Sequence, residues 1–128
     1  MIDMFRKYGE GHREEGPATT TYDEEGNIFY EGYYLNGEPH REDGPALIYY
    51  DNGMITSESY YKYGALHRDG APAVIYYKKG KILSEIYYKD GELHREEGPA
   101  SIYYKKGAIF AESFYIKGKI ISKDTLNL

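Results

Sequence analysis

The chain has 128 residues, no cysteine, no tryptophan and a formal net charge of −5. That length suits one domain, and the missing thiols exclude disulfides, a cysteine nucleophile and thiolate metal sites. The opening residues lack the apolar run and small-residue cleavage site of a secretory leader, and no stretch approaches membrane-spanning length, so a cytoplasmic protein is expected.

Ile, Leu, Val and Phe together supply 24 of the 128 residues, a level at which a charged chain begins to look disordered. Tyrosine alters that reading. There are 17, and most fall in tandem pairs at 33/34, 49/50, 60/61, 76/77, 87/88 and 103/104. Tyr favours strands and carries a large apolar ring with a wettable tip, so a thin fold can be built on it. Charge is uneven: residues 1–63 carry a net −8 and residues 64–128 a net +3.

A signature His-Arg-x-x-(Gly/Ala)-Pro-Ala recurs at His12, His40, His67 and His94, spaced 28, 27 and 27 residues apart. A fixed period of that size marks a repeat array in which each unit packs on its neighbours. The first unit, residues 9–36, holds His12 and Arg13. It departs from the others, with Thr19-Thr20-Thr21-Tyr22 in place of an apolar residue and a Tyr pair, as an atypical terminal repeat does. Residues 1–8 precede it as a cap. The second unit, residues 37–63, holds His40 and Arg41. Its first strand puts Ala46, Ile48 and Tyr50 on one face and Leu47 and Tyr49 on the other. Asp51-Asn52-Gly53 is a turn, and in the second strand Ile55, Ser57, Ser59 and Tyr61 alternate with Thr56, Glu58 and Tyr60. The third unit, residues 64–90, holds His67 and Arg68, then Ala73, Ile75 and Tyr77 on one face, Val74 and Tyr76 on the other, and the turn Lys78-Lys79-Gly80. The fourth, residues 91–117, holds His94 and Arg95. Its strands are predicted at about 100–104 and 109–115, with Pro99 at a strand start, where a missing N–H does least harm. Residues 118–128 open like another unit, lack the His-Arg, and are expected to add a closing strand.

Each unit therefore reads as a β-hairpin followed by a polar His-Arg connection. The fold predicted is an all-β, elongated array of antiparallel hairpins in a single-layer or trough-shaped sheet. The Ala-x-Ile-x-Tyr face recurs and is assigned to packing. The face of Tyr49, Tyr76, Tyr103, Leu47 and Val74 is left free, and it is the candidate surface for a protein partner or for a second copy of the chain. The histidines and arginines are assigned structural work: one per repeat, they fall on successive rungs and do not converge on one ion. The recurring Glu31, Glu58, Glu85 and Glu112 share like environments by symmetry, whereas acid–base pairs need unlike ones, so pairing with Arg or a Tyr hydroxyl is expected. No nucleophile grouping, phosphate loop or dinucleotide fingerprint is present. No enzyme, no cofactor and no metal are expected. Lys78, Lys79, Lys81, Lys105 and Lys106 could track a nucleic-acid backbone, but the net negative charge argues against direct binding, and lysines at hairpin tips also keep turns soluble.

The run Tyr30-Glu31-Gly32-Tyr33-Tyr34-Leu35-Asn36-Gly37-Glu38-Pro39-His40 resembles the MORN repeat. The later units keep Glu58, Tyr61, Gly64 and His67, then Glu85, Tyr88, Gly91 and His94, while the small residue after Glu becomes Ser59, Ile86 or Ser113. The longer unit is similar to variant MORN-type repeats of YwqK-like antitoxin proteins and of viral repeat proteins. The resemblance implies successive hairpins in an elongated antiparallel sheet, acting as a protein-binding or inhibitory module; some MORN proteins also associate with membranes. The function expected is a non-enzymatic, antitoxin-like stoichiometric inhibitor. The alternatives are a phage-encoded, anti-CRISPR-like inhibitor of a defence nuclease, aided by an acidic surface, and a scaffold protein.

Overall fold

The computed structural model describes residues 17–121 throughout and, ahead of them, the backbone of three short strands. These are β1 (Ile2–Met4), β2 (Arg6–Lys7) and β3 (Glu10–Gly11). The first unit follows with β4 (Thr19–Tyr22), β5 (Ile28–Gly32) and β6 (Tyr34–Leu35), and β7 (Glu38–Pro39) leads into the second. The second continues with β8 (Leu47–Asp51), β9 (Met54–Ser59) and β10 (Tyr61–Lys62), and the third opens with β11 (Ala65–Leu66). It continues with β12 (Val74–Lys78), β13 (Lys81–Ile86) and β14 (Tyr88–Lys89). The fourth has β15 (Glu92–Leu93), β16 (Ser101–Lys105) and β17 (Ala108–Ile116), and β18 (Lys119–Ile121) closes the array. Every described element is a strand.

Ten strands make one antiparallel sheet, ordered β1-β4-β5-β8-β9-β12-β13-β16-β17-β18. Its register repeats with the sequence: Glu31 faces Ile48, Glu58 faces Ile75 and Glu85 faces Ile102 across the joins between units. At the N-terminal edge Asp3 holds the same place opposite Thr20. Thus β1 stands where the second strand of a preceding unit would stand. The expected closing strand is β18, which pairs with β17 over Phe114–Ile116.

The packed face is where alternation put it. Ala46, Ala73 and Ala100 are 0% exposed and Ile48, Ile75 and Ile102 only 6–7%. Ala18 and Thr20 hold those places in the first unit, also buried. With so few large aliphatics, each buried isoleucine carries a large share of the stabilisation, on the order of 1.5–3 kcal/mol per side chain.

Tight turns at both ends of each unit fix the register. Asn52-Gly53, Lys79-Gly80 and Lys106-Gly107 have positive φ at both residues, the type I′ geometry that matches strand twist. The same geometry returns at Asn36-Gly37, Tyr63-Gly64, Asp90-Gly91 and Lys117-Gly118. There it closes a second, shorter hairpin: β6–β7, β10–β11, β14–β15, and the end of β17 with β18. Sequence reading gives only a polar connection at these places. The short hairpins stack on one another, since the amides of Gly64, Gly91 and Gly118 donate to the carbonyls of Pro39, Leu66 and Leu93 at 2.8–2.9 Å.

A second departure is a β-bulge in every long hairpin. Tyr50 pairs with Ile55 but Tyr49 with Ser57, which leaves Thr56 as an extra residue. The extra residue is Phe29 in the first unit, Leu83 in the third and Phe110 in the fourth. One inserted residue reverses the alternation beyond it. Hence Ile55 shares the face of Tyr50, while Ser57 and Ser59 share that of Tyr49, and the unbroken alternation expected for the second strand does not hold.

Candidate docking face

The two faces of the sheet are furnished differently. On the packed face, the hydroxyls of Tyr50, Tyr77 and Tyr104 donate to the carboxylates of Glu31, Glu58 and Glu85, each at 2.5 Å and each across a join between units. These bonds lift the phenols above their ordinary value. For Tyr104, the bond to Glu85 is the main cause, with burial behind it, and the hydroxyl is pushed up to about 12. For Tyr50 and Tyr77, burial leads and the Glu bond follows. The phenol can donate only while protonated, so an acceptor held against it resists its ionisation.

Beside these pairs sit the arginines. The guanidinium of Arg41 lies 3.8 Å from the ring centre of Tyr33, that of Arg68 3.8 Å from Tyr60, and that of Arg95 4.0 Å from Tyr87. Each also donates to the carbonyl of the proline four residues on, Pro45, Pro72 or Pro99. The fold-back passes close over the residue before that proline, Gly44 or Gly98, and the third unit makes the same bonds with Ala71 there. A Cβ on Gly44 would come within 2.9 Å of Arg41, and one on Gly98 within 3.0 Å of Arg95.

The histidines tie one short hairpin to the next. Nδ1 of His40 accepts the amide of Tyr63 at 2.9 Å, Nδ1 of His67 that of Asp90 at 3.0 Å, and Nδ1 of His94 that of Lys117 at 2.9 Å. Each of these amides belongs to the first turn residue of a short hairpin. On the other side of the ring, Nε2 lies 3.0 Å from Glu42 in the second unit and 3.2 Å from Asp69 in the third. An accepting Nδ1 puts the ring proton on Nε2, where it donates to the carboxylate. His12 and Arg13 lie outside the described residues. Among the described residues no group of three His, Asp or Glu side chains is placed to hold a metal ion. The shallow clefts between successive short hairpins are lined by these same partnered groups, such as Arg41, His67 and Arg68.

Among the described residues the opposite face has no such network. Tyr49, Tyr76 and Tyr103 stand in line on it and are 41%, 44% and 48% exposed. Tyr34, Tyr61 and Tyr88 of the short hairpins lie close by and are half-buried. The Tyr61 hydroxyl is raised by burial and by its neighbours Tyr49, Tyr88, Tyr76 and Tyr34, and that of Tyr88 by burial and by Tyr76, Tyr103 and Tyr115. At the first rung the ring of Tyr30 lies 4.8 Å from that of Tyr49, and its hydroxyl bonds to Tyr34 at 2.7 Å. The bulges enlarge the strip. Phe29 meets Tyr49 edge to face at 6.1 Å, and Lys105 lies over Phe110. Phe29, Leu83 and Phe110 are all more than 40% exposed.

One of the residues assigned to this surface is corrected. Val74 is on the same face as Tyr76 but is 5% exposed, because Ser59 and Ile86 flank it from both sides in the middle of the array. It belongs to the core and is not available for contact. Leu47, between Gly32 and Ser59, is half-buried. Sequence reading missed Phe29, Leu83 and Phe110. The available signal was their recurrence at one repeat position, which period-two alternation alone does not assign to a face.

Residues 18–36, 42–63 and 72–90 match the family described as MORN repeat variant. No curated protein and no solved structure matches the chain. MORN repeats form non-enzymatic modules that mediate protein or membrane interactions. Three matched units, an all-β array of hairpins and a register that repeats with the sequence lead to one assignment: the chain is a MORN-type repeat protein.

Proposed function

We propose that the chain acts by stoichiometric binding and not by catalysis, docking a protein partner on the strip of Tyr49, Tyr76 and Tyr103. One observation carries this reading. Large aromatics are exposed in line on a face whose hydroxyls serve no cross-unit network, while the same residue type on the opposite face is fully engaged. Contiguous apolar surface of this kind on a folded protein marks an interaction site. Tyrosine suits it, offering wide amphipathic area with few rotatable bonds. The glutamates that might suggest acid–base chemistry hold phenols in three like settings, which is the opposite of what paired catalytic carboxylates need.

Within this reading the chain is an antitoxin-like inhibitor working in the cytoplasm. A second version, inhibition of a defence nuclease, draws support from the acidic side chains exposed on the first two units, including Glu24, Glu25, Glu42, Asp43 and Asp51. The test is affinity purification from the native host, with the wild-type chain and with a Tyr49→Ser, Tyr76→Ser, Tyr103→Ser variant. A protein held in equimolar amount by the first and lost from the folded second is the expected result. Equal capture by both would remove this face from consideration. A captured toxin whose activity is blocked, or a captured nuclease displaced from its substrate, separates the two versions.

A further inference from the structure

We propose that the segment recognised by the tyrosine strip is proline-rich, held in the polyproline II conformation, laid across the strands, and oppositely charged at its two ends. This rests on the docking reading above and adds the chemistry of the partner.

The argument begins with spacing. Each unit contributes two strands to the sheet, so equivalent residues of successive units lie about 9.4–9.8 Å apart. A polyproline II helix rises ~3.1 Å per residue with three residues per turn, or ~9.3 Å per turn, and presents every third residue to the same side. It therefore meets Tyr49, Tyr76 and Tyr103 with the same face, slipping by under ~1 Å over the row. An extended strand covers ~10 Å in three residues, but its side chains alternate, so neighbouring rungs would meet opposite faces. An α-helix needs ~6.4 residues per rung, which at 3.6 per turn is not a whole number of turns. Of the three regular conformations, one keeps step.

Chemistry agrees with the spacing. Polyproline II has no internal hydrogen bonds, so its carbonyls are free to accept from phenol hydroxyls. Its rings pack on aromatic walls, as in other grooves that read proline-rich segments. Here aromatic surface flanks the row at Tyr61 and Tyr88 and, toward the two ends of the array, at Phe29 and Phe110, with Thr56 and Leu83 at the bulge positions between them.

Charge then sets direction. Two residues beyond Tyr49, Tyr76 and Tyr103, on the same face of their strands, stand Asp51, Lys78 and Lys105. Asp23 holds the corresponding sequence position in the turn after β4, its carboxylate accepting the amides of Glu25 and Asn27. This rail runs negative, negative, positive, positive beside the aromatic strip. A complementary segment carries basic residues over the first two units and acidic residues over the last two. The same rail disfavours a nucleic-acid backbone, which would meet carboxylates along half its length.

The experiment uses the full chain and labelled synthetic peptides, read by fluorescence anisotropy. The peptides are four Pro-Pro-x triplets with x as Arg, Arg, Glu, Glu, the reverse order, or Ser throughout. One charged order should bind at least ~10-fold more tightly than the Ser peptide, a difference of ~1.4 kcal/mol, and added salt should narrow the gap. Binding should be lost in the triple Tyr→Ser variant. Exchanging Asp51→Lys and Lys78→Asp together should weaken the preferred order. Equal binding by a peptide of the same composition with a four-residue period would overturn the proposal. So would self-association of the chain through this face strong enough to exclude the peptides. If no proline peptide binds while the purified partner still requires the three tyrosines, the polyproline inference fails and the docking reading stands.

Discussion

Tyr50, Tyr77 and Tyr104 point to one side of the sheet and give their hydroxyls to Glu31, Glu58 and Glu85. Their chain neighbours Tyr49, Tyr76 and Tyr103 point to the other side and remain more than 40% exposed. The residue type is the same and the positions are adjacent, so the difference comes from what faces each ring across the ladder. On the packed face Tyr50, Tyr77 and Tyr104 pair with Ile55, Ile82 and Ile109, and the Glu of the preceding unit, itself opposite Ile48, Ile75 or Ile102, reaches each hydroxyl. On the open face the residues opposite are Ser57, Ser84 and Ala111, too small to engage a phenol, and only at the first rung does a ring stand opposite, Tyr30 at 4.8 Å from Tyr49. A tandem Tyr pair is thus a way to put one ring into structure and one into contact.

Substitutions should separate the two roles, and the largest effect belongs to the packed face. Ile75→Ala removes buried methyls from a core with few of them. It should lower stability by ~2–4 kcal/mol, read from urea unfolding. Glu58→Gln and Tyr77→Phe should each cost about 1–2 kcal/mol, because a hydrogen bond to a charged group is lost. The double variant should show less than the sum of the two, the mark of a direct pair.

Alkali should find the same network. The Tyr104 phenol is raised from 10.0 to about 12 by its bond to Glu85 and by burial. A group that is protonated more tightly in the folded chain contributes its stability fully below pH 10, and the contribution falls as pH rises toward 12. Stability should therefore decline over that window, and Tyr104→Phe should flatten the decline while leaving neutral-pH unfolding cooperative. The smallest effect is expected at Thr56, the bulge residue of the second unit. Thr56→Ser should change stability by less than ~0.5 kcal/mol.

Much of this architecture was legible beforehand for a physical reason. Burial in a one-sheet array must repeat with the unit, so Ala46, Ile48 and Tyr50 announce their face by recurring as Ala73, Ile75, Tyr77 and Ala100, Ile102, Tyr104. The turns were legible because Gly53, Gly80 and Gly107 sit where positive φ is needed. The short hairpins were not read, since strands of two residues carry no alternation. Even so, Asn36-Gly37 and Asp90-Gly91 are dipeptides that favour type I′ turns and could have revealed them. The bulges were not read because a single extra residue leaves the repeat period unchanged while moving Ile55 to the other face. Val74 was misplaced because alternation gives the side of a residue and not how deeply its neighbours enclose it.

The bonds from His40, His67 and His94 to the turn amides of the next short hairpin give the molecule a quantised length. Each imidazole follows one short hairpin and its amide lies 23 residues on, in the turn of the next, so a short hairpin is secured where another stacks on it. Excising one 27-residue period would rejoin equivalent surfaces, restore every such bond but one, and shorten the aromatic strip by one step of about 9.6 Å. Insertion of a period would lengthen it by the same step. Reach along the strip can therefore change in whole units while the chemistry at each rung stays constant, so the array can act as a ruler.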